Sequence, residues 1–369
     1  MSINEIIIYI MTLFMVIGAV DRILGNKLGI GEQFEEGINA MGALALSMVG
    51  VIALAPVLAK ILLPIVGPIF EAIGADPSVF ATSLLALDMG GYPLAQELAK
   101  TPEAAQFSGI LVGSMFGPTI VFTIPVALGI IKEEDHPFLA KGILAGMITI
   151  PLGCFVGGLV AGFPVVMILK NLIPIIIFAL LIALGLFFKP EAMIRGFNGF
   201  GKFIVALITV GLAAGIIETL TGFVVIPGMA PLSEGFDVVG NIAIVLAGAY
   251  GLVWFITKVF SKPLMKVGEK LGMNEIAAAG LIATLANNIP MFGMMKDMDS
   301  RGKVINVAFA VSAAFVFGDH LGFVAGVNEK AMIVPMIIGK LVGGITAIML
   351  AIFILKREKT GNRPEEIEQ

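Results

Sequence analysis

Apolar residues run along this chain in blocks of about 20, the length needed to cross the roughly 30 Å hydrocarbon core of a bilayer. Nine such blocks stand out, at 4–24, 38–60, 107–131, 137–163, 165–188, 198–220, 237–260, 302–327 and 331–356. The run Ile6–Val20 follows a start without Lys or Arg and ends in Asp21-Arg22 with no small-residue cleavage motif. It reads as a first span, not a signal peptide. The tail after Leu355 turns polar and charged.

Two further apolar stretches do not fit one straight crossing. The first, 77–100, is interrupted by Asp88-Met-Gly-Gly-Tyr-Pro93, and the second, 273–296, by Asn287-Asn-Ile-Pro290. Each arm is too short to span the hydrocarbon, so each stretch is either a re-entrant hairpin or one broken span. Shorter proline-bounded pieces precede them, Ile61–Gly74 and Lys262–Gly272, and these read as segments lying along the membrane surface or as ordinary loops.

The interruptions belong to a weak duplication. Aligning Pro93 with Pro290 also pairs Gly18 with Gly215, Asp21 with Glu218 and Gly25 with Gly222; nearby offsets pair Phe116-Gly117 with Phe317-Gly318 and Gly153–Gly158 with Gly339–Gly344. Paired interruptions in two halves point to a transporter binding site. Basic residues favour the cytoplasmic side in short loops. Lys258, Lys262, Lys266 and Lys270 precede the second interrupted stretch, and Lys296, Arg301 and Lys303 follow it. Both clusters are cytoplasmic only if 273–296 enters and leaves by one face. Run backwards, this places 132–141 inside, 77–100 and the N-terminus outside, and the C-terminus inside, with Lys100 as a mild exception. The fold expected is an all-α polytopic membrane protein: an inverted-repeat transporter with two re-entrant hairpins and about nine full spans. Residues 1–163 form the first repeat, 164–197 the connecting span, 198–356 the second repeat and 357–369 a polar cytoplasmic tail. An eleven-span protein with parallel repeats is the alternative, and it would put one lysine-rich loop on the wrong side.

Composition agrees with this pattern. The 369 residues are 58% hydrophobic and 14% charged, with mean hydropathy +1.02, whereas soluble domains carry about 25% charge. A net charge of −4 with scattered basic residues speaks against nucleic-acid binding. One cysteine, Cys154, and two histidines, His136 and His320, leave no disulfide and no Cys- or His-rich metal site. The 45 glycines and 19 prolines suit broken helices. There is no Walker loop, no dinucleotide glycine motif and no zincin motif, so no cofactor is implied and the chain does not drive transport by its own ATP hydrolysis.

Polar groups at membrane depth are the candidates for chemistry. Asp88, at the first interruption, suits a cation; the alternative is a helix-end carboxylate bonded to its own turn. Asn287 and Asn288, at the second, offer amide donors and acceptors or plain turn chemistry before Pro290. Asp319 and His320, inside an apolar span, suit a cationic ligand or a structural pair. Pro118 is expected to break its span, which would make an oxygen-rich patch with Thr119 and Ser114 unless the hydroxyls bond back to the backbone. Tyr92, Phe116, Phe292 and Phe317 offer cation–π faces or apolar packing. Asp21 and Glu218 read as interfacial charges, and the Gly153/Gly157 and Gly339/Gly343 pairs as close-packing positions.

Several longer strings resemble a known family. Leu87-Asp-Met-Gly-Gly-Tyr-Pro-Leu94, Asn287-Asn-Ile-Pro-Met-Phe-Gly-Met-Met-Lys296 and Phe317-Gly-Asp-His-Leu-Gly-Phe323 are similar to the EutH ethanolamine-utilisation permeases. So are Asn4–Tyr9, Ala19–Arg22, Gln33-Phe-Glu-Glu-Gly37, Gly113–Phe122 and Arg301–Asn306. The resemblance runs to about Leu350, with loops 163–165 and 221–237 short for the family. It implies a bacterial inner-membrane protein, not an enzyme, that admits ethanolamine to cytosolic enzymes. The substrate is a primary amine, protonated at neutral pH like lysine. The site residues rest on the physical reading alone: Asp88, Asn287, Asn288, Asp319, His320, Tyr92, Thr119, Ser114, Phe116 and Phe317. The expectation is alternating access around a midplane cation site, in the bilayer, as a homo-oligomer. The alternatives are a passive channel, an ion-coupled symporter for another small amine, an intramembrane enzyme built on His320 and Asp319, and a receptor.

Overall fold

A computed structural model describes residues 2–361, and among them every regular element is helical. The long helices are α1 (Ile3–Ile23), α2 (Ile30–Ala72), α5 (Pro102–Ile130), α6 (His136–Val160), α7 (Val165–Phe188), α8 (Pro190–Thr221), α9 (Leu232–Lys270) and α14 (Ile333–Gly361). Between them lie the short helices α3 (Ser78–Thr82), α4 (Gly91–Leu98), α10 (Glu275–Ala286), α11 (Asn288–Met294), α12 (Ser300–Ala313) and α13 (Asp319–Gly326). Among the described residues, eight helices are long and apolar enough to cross a membrane. Their outward faces carry exposed Leu13 and Val16 on α1 and Leu180, Leu181 and Leu184 on α7, an apolar surface that water would not tolerate at this extent.

The eighth expected span, 302–327, is not one helix. It is divided into α12 and α13 by irregular backbone at 314–318. Span 107–131 departs in another way. Pro118 does not break it; the irregular residues are 113–115, and π-helical turns at Phe107–Val112 and Thr119–Thr123 flank them. The pieces expected at the membrane surface, Ile61–Gly74 and Lys262–Gly272, instead continue the preceding helices, so α2 reaches 43 residues with Pro56, Pro64 and Pro68 inside it. The expected repeat boundary at 197/198 falls within α8. Helix α14 runs on through the start of the polar tail; residues 362–369 lie outside the described residues.

Each interrupted stretch returns to its starting point. Asp76 accepts from the backbone N–H of Ser78 and of Lys100 at 2.9 and 3.1 Å, joining the two ends of 77–100. At the second stretch, Asn274 donates its backbone N–H to Asp299 at 2.8 Å and its side-chain amide to the Asp297 carbonyl at 2.9 Å. The two bases are tied to different places. Asp76 donates its N–H to Asn171, near the start of α7. Lys303, beside Asp299, pairs with buried Asp135, the residue before α6. Helix α6 is 25 residues long, about 37 Å at 1.5 Å per residue, and separates these two anchors. Lys100, the exception to the charge rule, is matched by Glu71 at 2.6 Å.

The core depends on close helix approach. A Cβ on Gly153 of α6 would stand 2.7 Å from the Gly339 carbonyl of α14, and one on Gly339 would stand 2.8 Å from the Gly153 carbonyl. The glycine pairs are therefore architectural. Asp21 is structural too. It accepts from the N–H groups of Leu28, Ile30 and Gly31 and so closes the turn into α2. Gly153→Val or Gly339→Val should destabilise the protein by about 1–3 kcal/mol through overpacking. Gly129→Ala, which meets nothing within 4 Å, should leave it unchanged. Thermal unfolding in detergent measures both, and equal midpoints for all three variants would contradict the packing argument.

Candidate functional site

The site is built where the short helices end. The last turn of α10 meets the irregular segment before α13 edge to edge: Phe315 N–H donates to the Thr284 carbonyl and Phe317 N–H to the Leu285 carbonyl, at 3.1 and 3.0 Å. A Cβ on Gly318 would collide with the Ala286 carbonyl, so only glycine permits this approach. In the first half the matching contact is between the 87–89 turn and the irregular part of α5. There Leu87 N–H donates to the Gly113 carbonyl at 2.8 Å, and a Cβ on Gly117 would collide with the Leu85 carbonyl. Phe315 takes a left-handed φ of +64°, an outlier for a bulky residue and a mark of stored strain.

A cavity of about 410 Å³ opens beside the second contact, lined by Gln33, Glu36, Asn39, Tyr250, Asn287 and Asp319, with small apolar residues between them. Helix α10 is 12 residues long, so its tip lies about 18 Å from its base, roughly half a membrane deep. Asp319 begins α13, is half-buried, and accepts a hydrogen bond from the Tyr250 hydroxyl at 2.6 Å. Glu36 is exposed, and its carboxylate lies within electrostatic range of Asp319. No Lys or Arg lines the cavity. Two carboxylates, three amides and a phenol thus face one space without a fixed cation. Such a lining attracts a small cation and offers hydrogen bonds to a second polar group on it. A larger cavity, about 630 Å³ between α1, α9 and α13, includes Lys330 and no carboxylate.

Of the ten residues named from sequence, Asp319 and Asn287 line the polar cavity. Asn287 also accepts from the Ile289 N–H and caps α11. Asp88, half-buried in its turn, packs against α13 and is an electrostatic neighbour of Asp319 and of Lys340. Asn288 is fully buried, donates to the Thr123 hydroxyl at 3.1 Å, and leaves its own carbonyl oxygen unpartnered. The remaining six are elsewhere. His320 is buried against Phe315 with Nδ1 unpartnered. Thr119 and Ser114 return their hydroxyls to backbone carbonyls. Phe116 is fully buried, and Phe317 packs at the edge of the core. Tyr92 donates to Glu329 at 2.9 Å, meets the Phe323 ring edge to face, and lines a separate cavity.

Sequence reasoning missed Glu36, Tyr250 and Lys340. Glu36 was assigned to the loop before span 38–60, whereas α2 already begins at Ile30. Tyr250 carries no signal within an apolar helix. Lys340 did carry one: it is a lysine inside the apolar run 331–356, and an ionisable group at that depth is a functional candidate by default.

Residues 3–354 match the family described as ethanolamine utilisation protein, EutH. The chain is 67% identical over 366 residues to the probable ethanolamine permease EutH of Listeria monocytogenes, covering 99% of this chain and 98% of that one. To the probable ethanolamine permease EutH of Escherichia coli it is 55% identical over 406 aligned residues, covering 100% and 99%. It is also 55% identical over 351 residues to the uncharacterized protein YxeR of Bacillus subtilis, with 95% of each chain covered. No solved structure matches the chain. With its eight apolar helices, this is a multi-pass membrane protein of a transport family. The chain belongs to the EutH family of ethanolamine-utilisation proteins.

Proposed function

We propose that this chain is a permease that imports ethanolamine as the ammonium form, binding it in the cavity shared by Asp319 and Glu36. The names of the relatives support the substrate. The observation that carries the binding mode is the pair of carboxylates facing a cavity with no Lys or Arg. A protonated primary amine supplies the missing charge, and its hydroxyl finds Asn39, Asn287 or Gln33 within the same lining. Tyr250 holds the Asp319 carboxylate in place from one side.

The mechanism proposed is alternating access in an inverted repeat, residues 1–163 and 198–356 joined by 164–197, with 77–100 and 273–296 as re-entrant hairpins. Support comes from the two closed bases, anchored toward opposite ends of α6, and from the matching contacts at the two tips. The lysine-rich segment 258–270 and the 296–303 loop belong together beside the second base, which puts that base in the cytoplasm under the positive-inside rule. The N-terminus is then outside and the C-terminus inside, in a bacterial inner membrane. The polar cavity, reached past Glu36 near the start of α2, then opens inward.

Radiolabelled ethanolamine flux into proteoliposomes tests the reading. Wild-type uptake should saturate, and Asp319→Asn should reduce it about tenfold or more, since a hydrogen bond to a charged group contributes about 1.5–3 kcal/mol. Glu36→Gln, at the exposed mouth, should have a smaller effect that fades at high salt. Full uptake by Asp319→Asn would remove the carboxylate site, and non-saturating flux would favour a channel. Alternating access is tested separately in a Cys154→Ser background, with single cysteines at Met89 and Ile289. Their labelling by a water-soluble maleimide should change when ethanolamine is added; labelling unchanged at both tips would contradict the movement.

A further inference from the structure

Lys340, the eighth residue of α14, is 1% exposed. Its ammonium donates to the Ser114 carbonyl at 2.5 Å, at the irregular residues of α5. The neighbouring carbonyl, Gly113, accepts from Leu87, the residue before Asp88. Lys340 and the turn that carries Asp88 are therefore fastened to consecutive carbonyls of the same broken helix. The titratable groups within electrostatic range of the ammonium, among the described residues, are Asp88 from that turn, Cys154 from α6 and His320 from α13. Asp88 is the only carboxylate among them.

This arrangement is the first-half counterpart of the open cavity. In both halves an irregular helix meets the tip of an interrupted stretch, with an aspartate beside the break. In the second half Asp319 faces space. In the first half a lysine head group sits on the Ser114 carbonyl instead, within electrostatic range of Asp88 though not in ion-pair contact with it. Unwound backbone carbonyls with a nearby carboxylate are the ligand set by which transporters of this general build hold a coupling cation.

We propose that Lys340 is a tethered ammonium occupying the cation position of the first half, so that the chain neutralises Asp88 with its own side chain and uses no dissolved metal cation. Lys340 is a positioning residue: it fixes the Asp88 turn against α5, and this leaves the Asp319 cavity as the one site open to a mobile cation. The proposal rests on the permease reading above and specifies its ion requirement.

The test uses purified full-length protein, in proteoliposomes for ethanolamine uptake and in detergent for thermal midpoints. Wild-type uptake should be the same in Na⁺ and in K⁺ media. Lys340→Met and Asp88→Asn should each lower uptake by about tenfold or more, because each strands a buried charge, while the double variant should recover to within about threefold of wild type. Lys340→Ala, which leaves an empty position beside Asp88, should gain a Na⁺ stimulation that wild type lacks. A Na⁺ requirement in wild type, a double variant no better than the singles, or a Lys340→Ala protein indifferent to Na⁺ would each overturn the proposal. If wild type moves no ethanolamine, the permease reading fails and the thermal midpoints still decide this one. Singles lowered and the double restored would uphold the pair; singles unchanged, or a double that fails to fold beside the singles, would refute it.

Discussion

The constraint on which the rest depends is that backbone and charge at membrane depth must be satisfied by the protein itself, because lipid offers no hydrogen bonds. Irregular backbone at 113–115 and 314–318 would be prohibitively costly if it faced hydrocarbon. Each segment is instead laced to the tip of an interrupted stretch, Gly113 to Leu87 and Phe315 and Phe317 to Thr284 and Leu285. The glycines at 117 and 318 make these contacts close enough to exclude any side chain. Strain at Phe315 persists because rings on both sides, Phe122 and His320, hold it there. The breaks are therefore fixed structures that present polar groups at a chosen depth.

Once the backbone is satisfied, the carboxylates decide what the site can bind. Asp88, Asp319 and Glu36 are successive electrostatic neighbours from the half-buried turn to the exposed mouth of the cavity, and buried Lys340 lies within electrostatic range of Asp88. Charge at this depth is tolerated when it is paired. For Asp88 the proposed counter-charge is Lys340, which stands within its electrostatic range. Asp319 has the Tyr250 hydroxyl, which stabilises a carboxylate without neutralising it. In the proposed reading the remaining charge comes from the substrate, a preference argued from this imbalance without reference to any relative.

Much of this was legible in the sequence because hydropathy and loop charge are one-dimensional properties. Blocks of about 20 apolar residues gave the spans, the interruptions at Asp88 and Asn287 marked the tips, and Asp319 stood out as a charge in an apolar run. Other features depend on partners remote in sequence. The fate of the Pro118 region turns on Lys340, more than 200 positions later, which takes the Ser114 carbonyl. Thr119 and Ser114 had to choose between a ligand and a backbone carbonyl, and only the packing of α5 settles that choice. Glu36 was lost because helix boundaries are the least secure feature of a pattern-based reading: extending α2 backward by two turns moves it from a loop into the cavity wall. The Tyr92 ring is visible in the sequence, but the bond from its hydroxyl to Glu329, 237 positions away between the last two spans, is not.

The two interrupted stretches are tied to irregular helices by similar contacts and differ in their chemistry, and the difference has a direction. A lysine head group and protonated ethanolamine present the same thing to an acceptor, a primary ammonium on a methylene carbon. The chain therefore carries, in the proposed first-half position, a permanent copy of the charged end of its proposed substrate. A permanent copy cannot leave, so it organises without being transported. It also stops Asp88 from competing for the incoming cation, which would otherwise encounter two aspartates of similar depth. A site that binds in one half and is already filled in the other limits each cycle to a single charge, and a single monovalent amine is what the open cavity, with its amides beyond the carboxylate, is shaped to receive.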